Sequence, residues 1–195
     1  MIHVQRQRPS PQHLGTIRPI RSLTIVVAVD NAGGFGKDGK IPWHFSEDFK
    51  HFKETTKGGI CIMGRKTYED MLALVKKRQK KKKAIKEILP GRTCYVLTRQ
   101  ENYEAEGAMV AASLIEAVQS IPEEDTREVF IIGGEKLYIE SLAWVDKVHL
   151  TLVDGYYDCD RFFPVDTLKE KFEIVDGKKG KDEKLMFVEY KRTKQ

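Results

Sequence analysis

The sequence IPW at positions 41–43, with Asp48 five residues after its tryptophan, is the stretch that decides how this chain folds. A helix predicted from Ser46 places Asp48 three residues after Phe45 and four before Phe52. Residues at these spacings share one side of a helix, so the carboxylate faces the same core as the two rings. An unpaired acid facing a core costs on the order of several kcal/mol, unless a ligand supplies N–H donors.

A second stretch, GRKT at 64–67, closes the apolar run ICIM at 60–63 and opens another predicted helix. Backbone N–H groups and the helix dipole at such a helix start favour phosphate. Arg65, Lys66 and Thr67 are therefore predicted to bind a phosphate-bearing cofactor. Together with the buried acid, this turn indicates an enzyme that holds a polar heterocycle beside that cofactor.

The composition bounds the class of protein. A chain of 195 residues with 41% hydrophobic and 32% charged side chains predicts one globular domain with a large core. No apolar run is long enough for a membrane span, and no secretory segment is present in the sequence, so no membrane partner is expected. Cys61, Cys94 and Cys159 show neither disulfide nor zinc spacing, which predicts a reduced, cytoplasmic protein without a metal site.

The net charge of +5 belongs to two appendages. Residues 1–21 contain four arginines and no acid, and residues 76–86 contain eight positive charges, so the remaining chain is mildly acidic. The first segment, which also carries three prolines, is predicted to be a disordered tail, with a transit peptide as the alternative. Residues 22–195 form the predicted domain.

The Lys-rich insertion, at about 76–88, interrupts the regular pattern of this domain. It is predicted either to extend the preceding helix or to form a solvated loop, because its like charges repel one another. An RNA, an anionic surface or a protein partner is the alternative. Nucleic-acid binding is expected only through this insertion or the tail, since a nucleic-acid protein more often spreads positive charge over its folded surface.

Apolar runs alternate with helical patterns along the domain. Strands are predicted at 23–29, 59–63, 94–98, 129–132, 145–153 and 185–190, and helices from 46, from 66, over 114–121 and from 134. A glycine-rich loop at 30–40 follows the first strand, and LPG at 89–91 predicts a turn. Alternating strands and helices predict a mostly parallel sheet, and the final strands predict an antiparallel edge.

The order of these motifs resembles the dihydrofolate reductase family. The matching segments are VAVD at 27–30, IPW at 41–43 with Asp48, IMGRKT at 62–67, LPGR at 89–92, IIGG at 131–134 with Tyr138, Thr151, and DRFFP at 160–164. Each is weak alone, whereas all of them in order and correctly spaced from 23 to 190 are very specific. An aspartate at 48, rather than a glutamate, resembles the bacterial and phage forms. We therefore predict a three-layer α/β domain with a mixed, mostly parallel sheet of about eight strands and about four flanking helices.

The resemblance implies hydride transfer from NADPH to C6 of dihydrofolate, giving tetrahydrofolate, in a monomer that also binds antifolates. Asp48, Trp43 and Thr151 would be the catalytic residues. Asp48 would hold the pterin amino group and N3, and Thr151 would hydrogen-bond that carboxylate. No second acid is expected beside it, so the N5 proton would arrive from water when the loop 31–44 moves. The implied substrate contacts are Val26, Val27, Asp48, Phe49, Phe52, Met71, Leu89, Arg92, Ile132 and Thr151.

Arg92 would clamp the α-carboxylate of the glutamate tail, because a guanidinium grips a carboxylate with two parallel hydrogen bonds. Arg99 would bind the 2′-phosphate of NADPH, and the backbone at Gly133 and Gly134, usually joined by a cis bond in the family, would approach the cofactor closely. The implied cofactor contacts are Ala28, Gly36, Ile41, Gly64, Arg65, Lys66, Thr67, Thr98, Arg99, Ile132, Gly133, Gly134, Glu135, Lys136 and Tyr138.

Two other interpretations stay open at this point. The riboflavin-pathway reductases share this fold and NADPH, but would not need Arg92 or a helix bearing Asp48. The second interpretation is a binding or structural protein that kept the fold and uses its basic insertion to bind RNA or an assembly. A Rossmann-type pteridine reductase is disfavoured, because no GxGxxG follows the first strand.

Overall fold

A central strand buried on both faces organises the domain in the computed structural model, which describes residues 21–78 and 84–193. The strands are β1 (Leu23–Val29), β2 (Gly34–Gly36), β3 (Ile60–Gly64), β4 (Thr93–Leu97), β5 (Met109–Ala111), β6 (Val129–Ile131), β7 (Lys147–Val153), β8 (Arg161–Phe162), β9 (Phe172–Lys179) and β10 (Leu185–Arg192). The helices are α1 (Ser46–Thr55), α2 (Arg65–Arg78), α3 (Leu114–Gln119), α4 (Glu135–Ser141) and α5 (Val165–Lys171).

The main sheet has eight strands in the order β5-β4-β3-β6-β1-β7-β10-β9. The first six run parallel, and β10 and β9 add an antiparallel edge. The predicted mixed, mostly parallel sheet is thus confirmed. In β1, Ile25 pairs with Ile131 of β6 on one side and with Val148 of β7 on the other.

Alternation along the strands separates two apolar layers. Ile25, Val27 and Val29 face the core that α3, α4 and α5 cover, with Leu114, Tyr138 and Leu168 as examples from the helices. Val26 faces the opposite layer, beneath α1 and α2, together with Met63 and Ile132. The domain therefore has three layers, with helices on both faces of the sheet.

The strongly apolar elements lie within a few residues of their predicted positions, whereas β2, β5, β8, β9 and α5 were not predicted. The last two lack a periodic signal: α5 has seven residues, and β9 is an exposed edge strand whose Ile174 is 63% accessible. Of the residues of β9, only Phe172 at its start is buried, in the core cluster that also contains Leu168 of α5.

Helix α2 continues into the Lys-rich insertion as far as Arg78, which favours the helical alternative for its first residues. There the Lys76 ammonium lies 2.8 Å from Oε2 of Glu106, so one charge of the insertion is neutralised by the domain. Residues 1–20 of the predicted tail and residues 79–83 of the insertion lie outside the described residues. Within the described parts of the chain, none of the helices has the length and apolar character needed to cross a membrane.

Candidate active site

The carboxyl ends of β3 and β6 meet at one edge of the sheet and form a cradle of bare backbone. The Gly64 N–H donates to the Gly133 carbonyl oxygen at 2.7 Å, and the Gly133–Gly134 peptide is cis. A Cβ added at Gly134 would lie 3.2 Å from Oγ1 of Thr67, at the start of α2. A ligand can therefore approach these peptides closely, at the edge where open α/β sheets bind their ligands.

Asp48 is held in the first turn of α1, with only 8% of its surface exposed. Burial raises the pKa of its carboxyl above the ordinary value, and a hydrogen bond with the side chain of Thr151 on β7 opposes that shift. Thr151 is itself buried. The structure thus brings together an acid and a hydroxyl that are far apart in the sequence, as predicted.

Trp43 is buried in a cluster with Val153 and Leu185, and Ala28 and Phe45 pack against this cluster. Its Nε1 is a buried donor with no hydrogen-bond partner among the described residues. The ring packs edge-on against Tyr157, with centroids 5.0 Å apart. The indole N–H is therefore a donor left for a ligand.

Arg92 is buried at the other end of the same face, just before β4. One of its terminal nitrogens, Nη1, donates to Oγ1 of Thr56 at 2.9 Å, while Nε is buried and has no partner within residues 21–78 and 84–193. Its guanidinium carbon lies 5.9 Å from the centre of the Phe52 ring. A guanidinium fixed by one hydroxyl, with an unused Nε–H, is suited to bind a carboxylate.

An apolar strip of the α1–α2 layer joins these two ends. It contains Val26 and Ile132, with Phe52, Met71 and Leu89 partly buried against it. Phe49, on the next position of α1 after Asp48, is 41% exposed. Val27, predicted to contact substrate, is instead a core residue on the opposite face, because successive side chains of a strand alternate.

The residues predicted to hold the cofactor's phosphates lie around the glycine cradle. Lys66 and Arg99 are exposed, at the start of α2 and just after β4. Arg65 already has a partner, since its Nη1 lies 2.7 Å from Oε1 of Glu69. Thr98 accepts the Gln100 N–H at 3.2 Å on its hydroxyl. On the loop side, Gly36 is buried in β2, and Ile41 is 49% exposed.

Three predicted cofactor contacts of α4 differ in their surroundings. The Tyr138 hydroxyl donates to the Val26 carbonyl oxygen at 3.0 Å, and it lies 3.2 Å from a Cβ built on Gly133. The Tyr138 side chain therefore packs against Gly133 and holds the backbone of the cradle in place, and its hydroxyl is already used within the protein. The Glu135 carboxylate accepts the Phe162 N–H at 3.0 Å and so ties α4 to β8. Lys136 is exposed.

Asp30 is a site residue whose role the sequence analysis did not identify. Its Oδ1 accepts the N–H groups of Ala32 and Gly34, and its Oδ2 accepts that of Tyr157 at 3.0 Å. It thereby joins the glycine-rich loop to the segment that carries Tyr157, the residue packed on Trp43. The glycine-rich turn directly after Asp30 is a local signal for its hydrogen bonds with Ala32 and Gly34. No local signal indicates its hydrogen bond with Tyr157.

A three-layer α/β domain with a glycine cradle at the carboxyl edge of its sheet and a buried acid nearby defines the class: a reductase that holds a nicotinamide cofactor against a small heterocycle. The sequence model of the family described as "Dihydrofolate reductase" matches residues 22–192. The chain belongs to the dihydrofolate reductase family, and it catalyses NADPH-dependent reduction of 7,8-dihydrofolate to tetrahydrofolate, a step of one-carbon metabolism.

Individual relatives agree with this assignment. A dihydrofolate reductase of Staphylococcus haemolyticus is 34% identical over 162 residues, which cover 83% of this chain and 88% of that protein. One from Staphylococcus aureus is 35% identical over 164 residues, covering 84% and 91%. A solved dihydrofolate reductase from Enterococcus faecalis, complexed with NADP(H) and an inhibitor named RAB-propyl, has a TM-score of 0.75 at 31% identity, covering 89% of this chain and 97% of that one. The family match decides against the riboflavin-pathway interpretation.

Proposed function

We propose that Asp48 anchors the pterin ring of dihydrofolate and that Arg92 holds the carboxylate of its tail. The observation that carries this proposal is the burial of Asp48, for which Thr151 is the one hydroxyl partner among the residues that the structure describes. A buried carboxyl with so few partners is costly, whereas the amino group and N3–H of a pterin would supply two donors to it. The apolar strip between Asp48 and Arg92 suits the aromatic middle of the substrate.

NADPH supplies a hydride to C6 of the substrate when it is bound. The residues of this chain orient the ring and manage the proton: the Asp48 carboxylate binds the amino group and N3 and favours protonation at N5. Thr151 hydrogen-bonds Asp48 and holds it in place. No second acid takes part in the proposal, so water reaches N5 when the loop 31–44 moves. The free indole N–H of Trp43 is a donor for an ordered water or a ligand.

For the cofactor, we propose that Gly64, Gly133 and Gly134 present backbone to the nicotinamide and pyrophosphate. Lys66, Thr67 and Arg99 contact the phosphates. The fit rests on the cradle described above, where a Cβ at Gly134 would crowd Thr67. Arg65 pairs with Glu69, and Glu135 accepts the Phe162 N–H, so these two residues support the cofactor site through contacts within the protein.

Replacing Arg99 with alanine is expected to raise KM for NADPH by about fivefold, because an exposed charge contact contributes on the order of 1 kcal/mol. KM for NADH, which lacks the 2′-phosphate, should stay unchanged. Initial rates with each cofactor measure this. Arg127→Ala is the matched control, since Arg127 pairs with Asp125 before β6, at the amino end of that strand. An equal change for both cofactors would remove Arg99 from the 2′-phosphate site.

Without ligands, Asp48→Asn is expected to be more stable than the wild type at neutral pH. Burial raises the pKa of Asp48, so the folded protein holds more protons than the unfolded chain between the ordinary value, about 3.9, and the raised one. Stability of the wild type therefore falls as the pH rises through this interval. Asparagine does not ionise, so the variant escapes this loss.

Urea unfolding of both proteins over a pH series measures the difference. Asp176→Asn, on the exposed strand β9, is the control and should show no such divergence. A wild type that gains stability over the variant as the pH rises would overturn the assignment of Asp48 as a buried carboxyl without a charged partner.

For partners, we propose a monomer in which only the tail and the Lys-rich insertion could contact nucleic acid. The mildly acidic remainder of the chain supports this. Sedimentation velocity with and without an RNA oligonucleotide tests it, and a concentration-dependent dimer would contradict the monomer.

A further inference from the structure

Two cysteines that the proposed mechanism does not use lie side by side in the sheet. Cys61 of β3 and Cys94 of β4 are register partners in adjacent parallel strands, both are free thiols, and their accessible fractions are 0% and 2%. Both side chains face the α1–α2 layer. Neighbouring strands are about 4.8 Å apart, which lies within the Cα separation of about 4.4–6.8 Å that a disulfide spans.

The same pair touches the residues that hold Arg92. The Cys61 thiol has a hydrogen-bond contact with the Thr56 side chain, and Thr56 accepts the hydrogen bond from Arg92. Arg92 precedes Cys94 by two residues on the same chain segment, so both lie on one side of it. A movement of the Cys61 sulfur can therefore displace the Arg92 guanidinium through one side chain, that of Thr56.

The surroundings also activate one of the two sulfurs. The Cys61 thiol, the Leu89 backbone and the Arg92 guanidinium lower the pKa of Cys94, whereas the Cys94 contact and burial raise that of Cys61. Since the thiolate is the nucleophilic form, Cys94 is the sulfur that would attack an oxidant, and Cys61 is the resolving thiol beside it.

We propose that Cys61 and Cys94 form a reversible redox modification site whose oxidation to a disulfide weakens the grip of Arg92 on the substrate tail. The oxidant is a peroxide. The Cys94 thiolate attacks one peroxide oxygen, the O–O bond breaks, and hydroxide leaves and takes up a proton as water, which leaves a sulfenic acid. The Cys61 sulfur then displaces the hydroxyl as a second water, so two thiols and one hydrogen peroxide give one disulfide and two waters.

The functional consequence rests on the proposed role of Arg92. Drawing the two sulfurs together moves the Cys61 side chain away from Thr56, and Thr56 is the anchor of the Arg92 terminal nitrogen. The expected effect is a weaker tail contact with an intact pterin site, because Asp48 lies in the first turn of α1 and Thr151 on β7, whereas Thr56 caps the opposite end of α1. By linkage, bound dihydrofolate should in turn slow the oxidation.

The test uses the full chain carrying Cys159→Ser, so that only the two cysteines remain. The protein is treated with hydrogen peroxide, and intact mass, denatured thiol titration and initial rates are recorded before and after reduction with dithiothreitol. The substrates are dihydrofolate and a dihydropterin without the benzoylglutamate tail. Cys61→Ala and Cys94→Ala in the same background cannot form the bridge and are the matched controls.

The proposal expects loss of the mass of two hydrogens and of both thiols, and a KM for dihydrofolate raised about tenfold, as for one weakened charge-assisted hydrogen bond. The KM for the tail-less dihydropterin should not change, and dithiothreitol should restore the original value. Neither single variant should show the reversible change. Oxygen addition without a bridge, or a bridge that leaves both KM values unchanged, would overturn it. Failure of the Arg92 assignment is recognised separately, because the bridge would still form while reduced Arg92→Ala showed an unchanged KM for dihydrofolate.

Discussion

Asp48→Asn is expected to lower kcat for dihydrofolate reduction by at least about a hundredfold, the usual effect of removing a group that governs proton transfer. Asparagine has nearly the same shape, so α1 keeps its position. Its amide, however, carries no negative charge to favour a protonated N5, and its NH₂ is a donor facing the donors of the pterin. The decrease in NADPH absorbance at 340 nm on adding dihydrofolate measures the rate.

The pH dependence of this variant tests the route of the N5 proton. If water delivers the proton, the hydride step of Asp48→Asn should accelerate as the pH falls, because a larger share of substrate is then protonated before transfer. Asp48→Glu keeps the carboxylate and is the control that should retain much of the activity. An asparagine variant with wild-type turnover would show that the buried acid does not take part in the reaction.

Arg92→Ala is expected to raise KM for dihydrofolate by about a hundredfold. Two charge-assisted hydrogen bonds to a carboxylate contribute roughly 1.5–3 kcal/mol each, and every 1.4 kcal/mol is about a factor of ten. Part of that sum offsets the cost of desolvating the buried guanidinium. The tail-less dihydropterin should show an unchanged KM, because Asp48, and not Arg92, is the residue proposed to hold its ring.

Arg92→Lys is the informative companion variant. It keeps the positive charge but not the planar fork, so it should recover only part of the affinity. Arg92 also donates to Thr56, so thermal unfolding of each variant shows whether the fold is preserved. An alanine variant that binds both substrates as the wild type does would remove Arg92 from the substrate site.

Much of the fold was accessible from the sequence because its signals are local. The run at 23–29 is apolar throughout, which is typical of a strand buried on both faces, and it forms β1 with the predicted bounds. Ser46 opens α1 as predicted. The edge strand β9 escaped prediction because its exposed residues carry no periodic pattern: an edge strand takes its structure from the neighbour with which it pairs, here β10.

The residues of the candidate site also fall into two groups, those with a local signal in the sequence and those without one. Asp48, Arg92 and the glycine pair were predicted as site residues from motifs within a few residues of each one. Val27, predicted as a substrate contact, lies in the core cluster with Ile25 and Val29, because a continuous apolar run does not reveal which of two alternating faces meets the ligand. Thr56 carried no signal at all, since its hydroxyl matters only once Arg92 lies against it.

The sequence alone was enough to place the strongly apolar strands and the longer helices, and to predict which side chains would bind a heterocycle, a carboxylate and phosphates. These are properties of spacing and side-chain chemistry, which do not depend on distant residues. Only the tertiary structure showed that Tyr157 contacts both Asp30 and Trp43, that Thr56 accepts from Arg92, and that Cys61 pairs in register with Cys94. The reason is the strand order, which places β1 between β6 and β7 and β3 beside β4, and so sets burial and pairing across the whole chain.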